Sequence, residues 1–205
     1  MTAKSMESIS KAFSLRDRVS EWERFAIESR YYRSVTGDLI KARSVYETWA
    51  FTYPRDAIPL DNMAEIDDHL GEYQKALAEA RLSDQLEPER NGACDLISIN
   101  IDANLLQAAR AVAEEELRKR PNDTCSRGNL YLVAFIENDS ASMAKQLAWA
   151  QHQGVQDFEP DELTFAYHGQ LERARQLSQR DVEQLRAWRA SFVFRYYGRA
   201  FTMWL

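Results

Sequence analysis

The chain has few of the residues that break regular structure, with seven glycines and five prolines among 205 residues. A sandwich or barrel needs many tight turns built from such residues, so the composition disfavours both folds. Basic residues are also fewer than acidic ones: 26 Lys and Arg against 32 Asp and Glu give a formal charge of −6. A surface for duplex nucleic acid needs clustered positive charge, so we expect no nucleic-acid partner.

Long apolar runs are missing as well. The longest charge-free apolar stretch, 128–136, is far shorter than the roughly 18 apolar residues of a membrane span. The first ten residues carry no apolar signal core. We interpret the two cysteines, Cys94 and Cys125, as buried thiols of a reducing compartment rather than as a disulfide. These features predict a soluble, cytoplasmic chain.

A repeat of constant length is present. GDLIKA at 37–42 returns as GEYQKA at 71–76, an offset of 71 − 37 = 34 residues. Pro54 and Pro88 keep the same offset, 88 − 54 = 34 residues. Because the turn and proline positions move in step, the spacing indicates repeated helix pairs rather than a generic helical bundle.

Weaker copies continue this pattern. The next turn positions are Asn104, Asn138 and Gly169. Each is Gly or Asn, as expected if the turn between two antiparallel helices needs a left-handed residue. Alanines occupy matching positions where helices must approach closely: Ala42, Ala76, Ala109 and Ala174.

The repeat predicts an all-α solenoid, a right-handed superhelix of about five antiparallel helix pairs. One pair cannot bury its own apolar face, so stacked neighbours share the core. Ser20 and Glu23 predict a capping box that opens a helix over 21–34, and 8–16 is interpreted as the second helix of an incomplete unit. Within a solenoid over 1–185, the predicted pairs occupy 23–56, 57–89, 90–123, 124–154 and 155–185.

The spacing Gly-x-Tyr/Leu-x-x-Ala…Pro resembles the tetratricopeptide-repeat (TPR) family. Over 11–184 the chain is similar to the TPR region that follows the kinase domain in many bacterial eukaryotic-like Ser/Thr kinases. The likeness is carried by KAFSLRDRVSEWERFAIESRYYRSVTGDLIKARSVYETWAFTYPRD, LGEYQKALAEARLSDQLEP and MAKQLAWA. Similar tracts follow DNA-binding domains in some bacterial regulators, so the resemblance implies a signalling context and not an activity. It also implies an extracytoplasmic alternative, because a membrane span can separate kinase and repeats.

Two positions depart from the family pattern. Asp67 and Asn100 stand where the first helix of a pair usually carries an inward aromatic residue. The departure predicts either looser packing of these helices or divergence for a ligand.

Motifs for catalysis are missing from the sequence. A kinase needs a Gly-rich loop, an HRD-type catalytic loop and a DFG-type metal site, but Arg16-Asp17 lacks the preceding His and Asp157-Phe158 is followed by Glu159. Glu65 and His69 lie four residues apart on one helical face but have no evident third metal ligand, so we interpret them as a solvated surface. We therefore predict a protein that is not an enzyme and uses no cofactor or metal.

The TPR resemblance implies that the first helix of each pair lines a concave groove. Aligned on the turns, twelve positions are predicted to face it: Arg24, Ile27, Glu28, Tyr31, Ile58, Asp61, Asn62, Glu65, Asp68, Asp95, Ser98 and Asp102. Carboxylates dominate the middle of this set, so we expect a basic or mixed protein segment as partner. TPR domains that hold chaperone C-termini carry Lys, Asn and Arg at such positions, which argues against that ligand. The alternative is a merely solvated acidic face.

From 186 to 205 the composition changes to aromatic residues and arginines, without a carboxylate. We interpret this segment as a capping helix over the last apolar face. A self-association or membrane-surface segment and an abnormal chain end are the alternatives.

Together these features predict a protein-interaction scaffold. Two other functions compete with it. One is an accessory region of a bacterial Ser/Thr kinase system without its catalytic domain. The other is a self-assembling structural solenoid that forms homo-oligomers.

Overall fold

A computed structural model describes residues 3–88, 92–155, 160–179 and residue 183. The described chain is helical, and no strand occurs within these ranges. The helices are α1 (Ala3–Ser14), α2 (Glu21–Tyr31), α3 (Leu39–Thr52), α4 (Ile58–His69), α5 (Tyr73–Leu86), α6 (Gly92–Asp102), α7 (Leu106–Lys119), α8 (Thr124–Ile136), α9 (Ser140–Gln153) and α10 (Pro160–Tyr167). A 3-10 turn (Arg16–Arg18) precedes α2, and a π-helical segment (Tyr32–Thr36) follows it. The predicted capping segment 186–205 lies outside the described residues.

The turns between paired helices have the geometry that the repeat predicts. All five turn residues have positive φ, between 58° and 77°. They are Gly37, Gly71, Asn104, Asn138 and Gly169. Local chemistry also sets the start of α2, where Ser20 and Glu23 form the predicted capping box. The prediction of left-handed Gly or Asn at each turn is thus confirmed.

The chain divides into two compact units, Met1–Ser126 and Arg127–Leu205. In the first unit each helix from α1 to α7 packs against the next one along the chain, and α4 also contacts α6. Such nearest-neighbour packing is typical of a solenoid. Its core has two clusters, one around Trp49 and Ile66 and one around Ala76 and Ile99.

The second unit contains a buried hydrogen bond between two side chains and a cation–π contact. Inside it, the hydroxyls of Tyr131 and Thr164 share a buried hydrogen bond of 3.0 Å. The guanidinium of Arg127 lies 4.5 Å from the centre of the Trp149 ring, a cation–π distance. No helix within the described ranges is long and apolar enough to cross a bilayer.

Cys94 on α6 and Cys125 in the first turn of α8 form a disulfide, with Cα atoms 6.0 Å apart. The interpretation of these residues as free thiols is therefore wrong. Counting cysteines did not reveal the pairing, because it depends on α6 and α8 being the first helices of consecutive pairs. The disulfide closes a loop across the whole of α7.

Asp67 is buried, with only 1% of its surface exposed, and its two oxygens accept hydrogen bonds from Arg43 on α3. The distances are 2.6 Å from Nε and 2.8 Å from Nη2. Arg43 also donates to Glu79 on α5 over 3.0 Å and pairs with Glu47 on its own helix. Asp67 thus fills the family's aromatic position with an ion pair that joins α3 to α4.

Asn100, the second departure from the family pattern, is also buried. Its side-chain amide donates to the carbonyl of Leu96 in the same helix over 2.7 Å. Both unusual residues are therefore satisfied by the protein itself, which is what buried polar groups require.

We predict that the disulfide stabilises the fold against unfolding. For a separation of 31 residues, the chain-entropy argument gives about 3–4 kcal/mol. The Cys94→Ser/Cys125→Ser double variant should unfold at a correspondingly lower urea concentration and respond no further to reductant. Identical unfolding curves for wild type with and without reductant would contradict the prediction.

Glu79 generates a second prediction, because burial and the nearby Asp67 raise its pKa to about 7. The folded state then holds a proton that the unfolded state releases near pH 4.5, so stability falls as pH rises from about 4.5 to 7. Glu79→Gln should abolish this loss and gain on the order of 1–3 kcal/mol at pH 8. Urea unfolding at pH 5 and pH 8 measures it. Glu47→Gln, at the exposed member of the cluster, is the matched control and should change little. A Glu79→Gln variant less stable than wild type at pH 8 would show that the Arg43 contact outweighs burial.

Candidate functional site

A cavity of about 430 Å³ lies between α2 and α4. We call it the α2–α4 cavity. The first helices of two neighbouring pairs form its walls, and α3 contributes part of its floor. Its lining residues are Trp22, Ala26, Ser29, Arg30, Arg33, Ser34, Tyr46, Trp49, Ile58 and Asn62.

Aromatic rings form a fixed part of the lining. Trp22 and Trp49 meet edge to face, with ring centres 5.2 Å apart. One oxygen of Asp56 accepts both indole N–H groups, over 2.7 Å from Trp22 and 3.0 Å from Trp49. Its other oxygen accepts the backbone N–H of Ile58 at the start of α4. Trp49 is buried, but Trp22 keeps 38% of its surface exposed, so it presents a rigid apolar surface.

Arg33 joins the two walls of the cavity. It belongs to the π-helical segment after α2, and π segments often occur at functional sites. Its Nη1 donates to the side-chain oxygen of Asn62 over 2.9 Å, and its Nη2 pairs with Glu65. The π-helical segment at the end of α2 thus supplies the side chain, Arg33, that contacts α4.

The charge of the lining is positive. Arg30 and Arg33 contribute to it, and no carboxylate does. Glu65 balances Arg33 from outside the cavity, whereas Arg30 is exposed and makes no ion pair within the described part of the chain. Arg30 is therefore the cavity arginine that is available to an anionic group.

Solved structures share the fold. The chain matches MamA from Desulfovibrio magneticus RS-1 (residues 41 to the end) with a TM-score of 0.55 and an RS-1 MamA double mutant with 0.56. In both comparisons 17% of residues are identical, and the match covers 82% of this chain and 97% of the solved MamA chain. MamA is a TPR-like, all-helical protein. The fold of this chain is a TPR-type α-solenoid. At this identity the likeness extends to the fold alone, and no protein-family model and no curated protein matches the sequence.

In this solenoid the predicted groove positions on α2 lie elsewhere than in the cavity. Arg24 pairs with Glu21 on its own helix, and Ile27 is half-buried outside the lining. Glu28 pairs with Arg16 over 3.0 Å, and the ring of Tyr31 stacks on Phe13 at 3.9 Å. Helix α1 and the 3-10 turn thus cover the face of α2 that carries Glu28 and Tyr31. The adjacent face, with Trp22, Ala26 and Arg30, lines the cavity.

On α4 the predicted positions divide into two groups. Ile58 and Asn62 line the cavity, and Glu65 lies next to them through Arg33. Asp61 instead accepts a hydrogen bond from the hydroxyl of Ser83, a buried residue of the partner helix α5. Its carboxylate therefore contributes to packing within the second pair.

The remaining positions lie at the far end of α4 and on α6. Asp95 and Ser98 are half-buried on α6, and Asp102 is the exposed last residue of that helix. Asp68 lies beside Asp102 where α4 packs on α6, and burial together with the charge of Asp102 raises the pKa of Asp68 to about 6. The structure therefore brings these two predicted acids together, and within the described ranges no group of three acidic, His or Cys side chains could hold a metal.

Sequence reasoning missed most of the lining. A signal was present, since Trp22 and Asp56 are separated by one period, 56 − 22 = 34 residues. They occupy equivalent positions at adjacent first helices, which stack side by side. The repeat alone, however, does not show that the indole and the carboxylate meet.

We predict that Asp56 holds the cavity in shape. Asp56→Ala leaves two indole N–H donors without their acceptor and removes a contact at the start of α4. Each lost interaction costs about 1–3 kcal/mol, and the environment of Trp22 should become more mobile. Urea unfolding and tryptophan fluorescence anisotropy measure both effects.

Asp17→Ala, at an exposed position outside the cavity, is the matched control. Asp56→Asn retains one acceptor and should be intermediate. Unchanged stability and anisotropy in Asp56→Ala would contradict the role of this carboxylate.

Proposed function

We propose that this chain is a non-catalytic protein-interaction scaffold, and that the α2–α4 cavity anchors a side chain of a bound protein segment. The observation that carries the proposal is a cavity between the first helices of adjacent pairs with a preformed aromatic floor. Stacked helix pairs commonly bind partners on such extended faces.

Preorganisation favours this use of the cavity. Binding energy at protein interfaces concentrates where aromatic residues and arginine surround a pocket. Because Asp56 already fixes both indoles, a ligand does not have to order them. Arg30 adds a donor for an anionic group at the rim.

The bound segment extends beyond the cavity along α4. Asn62, Glu65 and Asp68 follow Ile58 on the same face of this helix, and Asp102 comes from the adjacent α6. Asp95 and Ser98 are the proposed extension on α6. The groove is thus basic at the α2–α4 cavity and acidic at the far end of α4.

The disulfide supports an extracytoplasmic location, because disulfides persist in oxidising compartments. A role as the accessory repeat region of a bacterial Ser/Thr kinase system is compatible with this location and is carried by the sequence resemblance. Self-assembly was predicted through 186–205, so no observation on the described residues favours it.

Site-specific photo-crosslinking tests the scaffold function. A benzophenone amino acid in place of Ser34, which lines the cavity, should label one segment of one partner in source cells. The same probe in place of Thr48, exposed on α3, is the matched control and should give no such adduct. Mass spectrometry identifies the labelled segment.

A second substitution links labelling to the cavity. Ala26→Trp fills the cavity and should abolish the adduct at position 34, provided that circular dichroism shows an unchanged fold. Equal labelling at positions 34 and 48, or labelling that survives Ala26→Trp, would refute the proposed site.

A further inference from the structure

We infer that the segment bound on this face carries both signs of charge: an acidic residue beside an apolar anchor at Arg30, and a basic residue at Asp68 and Asp102. The inference rests on the proposed function and adds the chemistry of the partner. Its evidence is the separation of charge between Arg30 at the α2–α4 cavity and the two acids at the far end of α4.

The first step concerns the cavity end. Its lining holds two arginines and no carboxylate, and Arg30 projects at an exposed position. An apolar side chain fits against the indole of Trp22, which is 38% exposed. A carboxylate next to that side chain meets Arg30, whose planar guanidinium binds carboxylates in a bidentate manner. A lysine or arginine at this point would be repelled.

The second step concerns the acidic end. Asp68 on α4 lies beside the exposed Asp102 at the end of α6, because these two helices pack together. Two ionised carboxylates cannot donate to each other. A lysine ammonium next to the two carboxylates cancels their repulsion, whereas another carboxylate adds to it.

The third step is distance. Ile58, Asn62, Glu65 and Asp68 recur at helical spacing and share one face of α4. A rise of about 1.5 Å per residue places Asp68 about 15 Å along the axis from Ile58. An extended peptide covers that length in about four to five residues. One short segment therefore reaches both ends.

Uniform charge is excluded by the same geometry. A fully basic segment meets Arg30 at the cavity, and a fully acidic one meets Asp68 and Asp102. Like charges brought together across an interface cost affinity and thereby select against the wrong partner. A segment of mixed charge avoids both repulsions.

Synthetic peptides test the inference on the full chain. Each has a phenylalanine next to one charged residue, a spacer of about three Gly and Ser residues, and a second charged residue. Four versions carry acid then base, base then acid, two acids or two bases. Both mixed orders are needed because the face does not set the direction of the peptide chain.

Isothermal titration calorimetry should show one mixed peptide binding about tenfold more tightly than either uniform peptide. Arg30→Glu should weaken that peptide about tenfold, and replacing its acid by lysine should restore the affinity. Arg18→Glu, an exposed arginine outside the face, is the matched control. The inference is overturned if the uniform peptides bind as tightly as the mixed ones, or if neither mixed peptide binds.

The pH dependence gives an independent readout. Asp68 is faced by Asp102 on α6 and by Glu65 and His69 on α4, and its pKa of about 6 means that it ionises between pH 5 and pH 7. Affinity for the mixed peptide should rise over this range in wild type and stay flat in Asp68→Asn. His69→Gln is the control for the neighbouring histidine. An unchanged slope in Asp68→Asn overturns the role of this acid.

The experiments distinguish a failure of the mixed-charge inference from a failure of the proposed scaffold function. If the segment crosslinked at position 34 carries charge of one sign, the scaffold stands and the mixed-charge inference falls. If position 34 gives no specific adduct, the scaffold site itself falls.

Discussion

The buried ion pair between Arg43 and Asp67 is the constraint on which the first two helix pairs depend. Asp67 has lost nearly all contact with water, so its charge is tolerable only while both oxygens accept from Arg43. Breaking such a pair from one side typically costs about 3–5 kcal/mol. The pair fixes α3 against α4. Because α3 carries Tyr46 and Trp49 and α4 carries Ile58 and Asn62, it also fixes two sides of the cavity.

Asp56 makes the same arrangement suitable for binding. One carboxylate holds an indole from α2, an indole from α3 and the first backbone amide of α4. The aromatic surface is therefore ordered before a ligand arrives, which lowers the entropy that binding would otherwise lose. Arginines from α2 and the π-helical segment line this cavity, and Asp68 and Asp102 lie together at the far end of α4.

Much of the fold was predictable because its signals are local. A left-handed Gly or Asn ends the first helix of a pair wherever the period places one, and Ser20 caps α2 with chemistry contained within four residues. The site was less accessible. Of the predicted groove positions, Ile58 and Asn62 lie at the cavity, whereas Glu28 and Tyr31 lie on a face of α2 that contacts Arg16 and Phe13.

By itself the sequence determined the helical pairs, their turns and their order, since those follow from spacing and from the conformational limits of single residues. Only the tertiary structure decided which side chains meet between helices. The rotation of α2 against α4, the approach of α6 to α8 that pairs Cys94 with Cys125, and the burial of Asp67 depend on contacts far apart in the chain. A repeat of constant length carries no information about such rotations, because the same period is compatible with any of them.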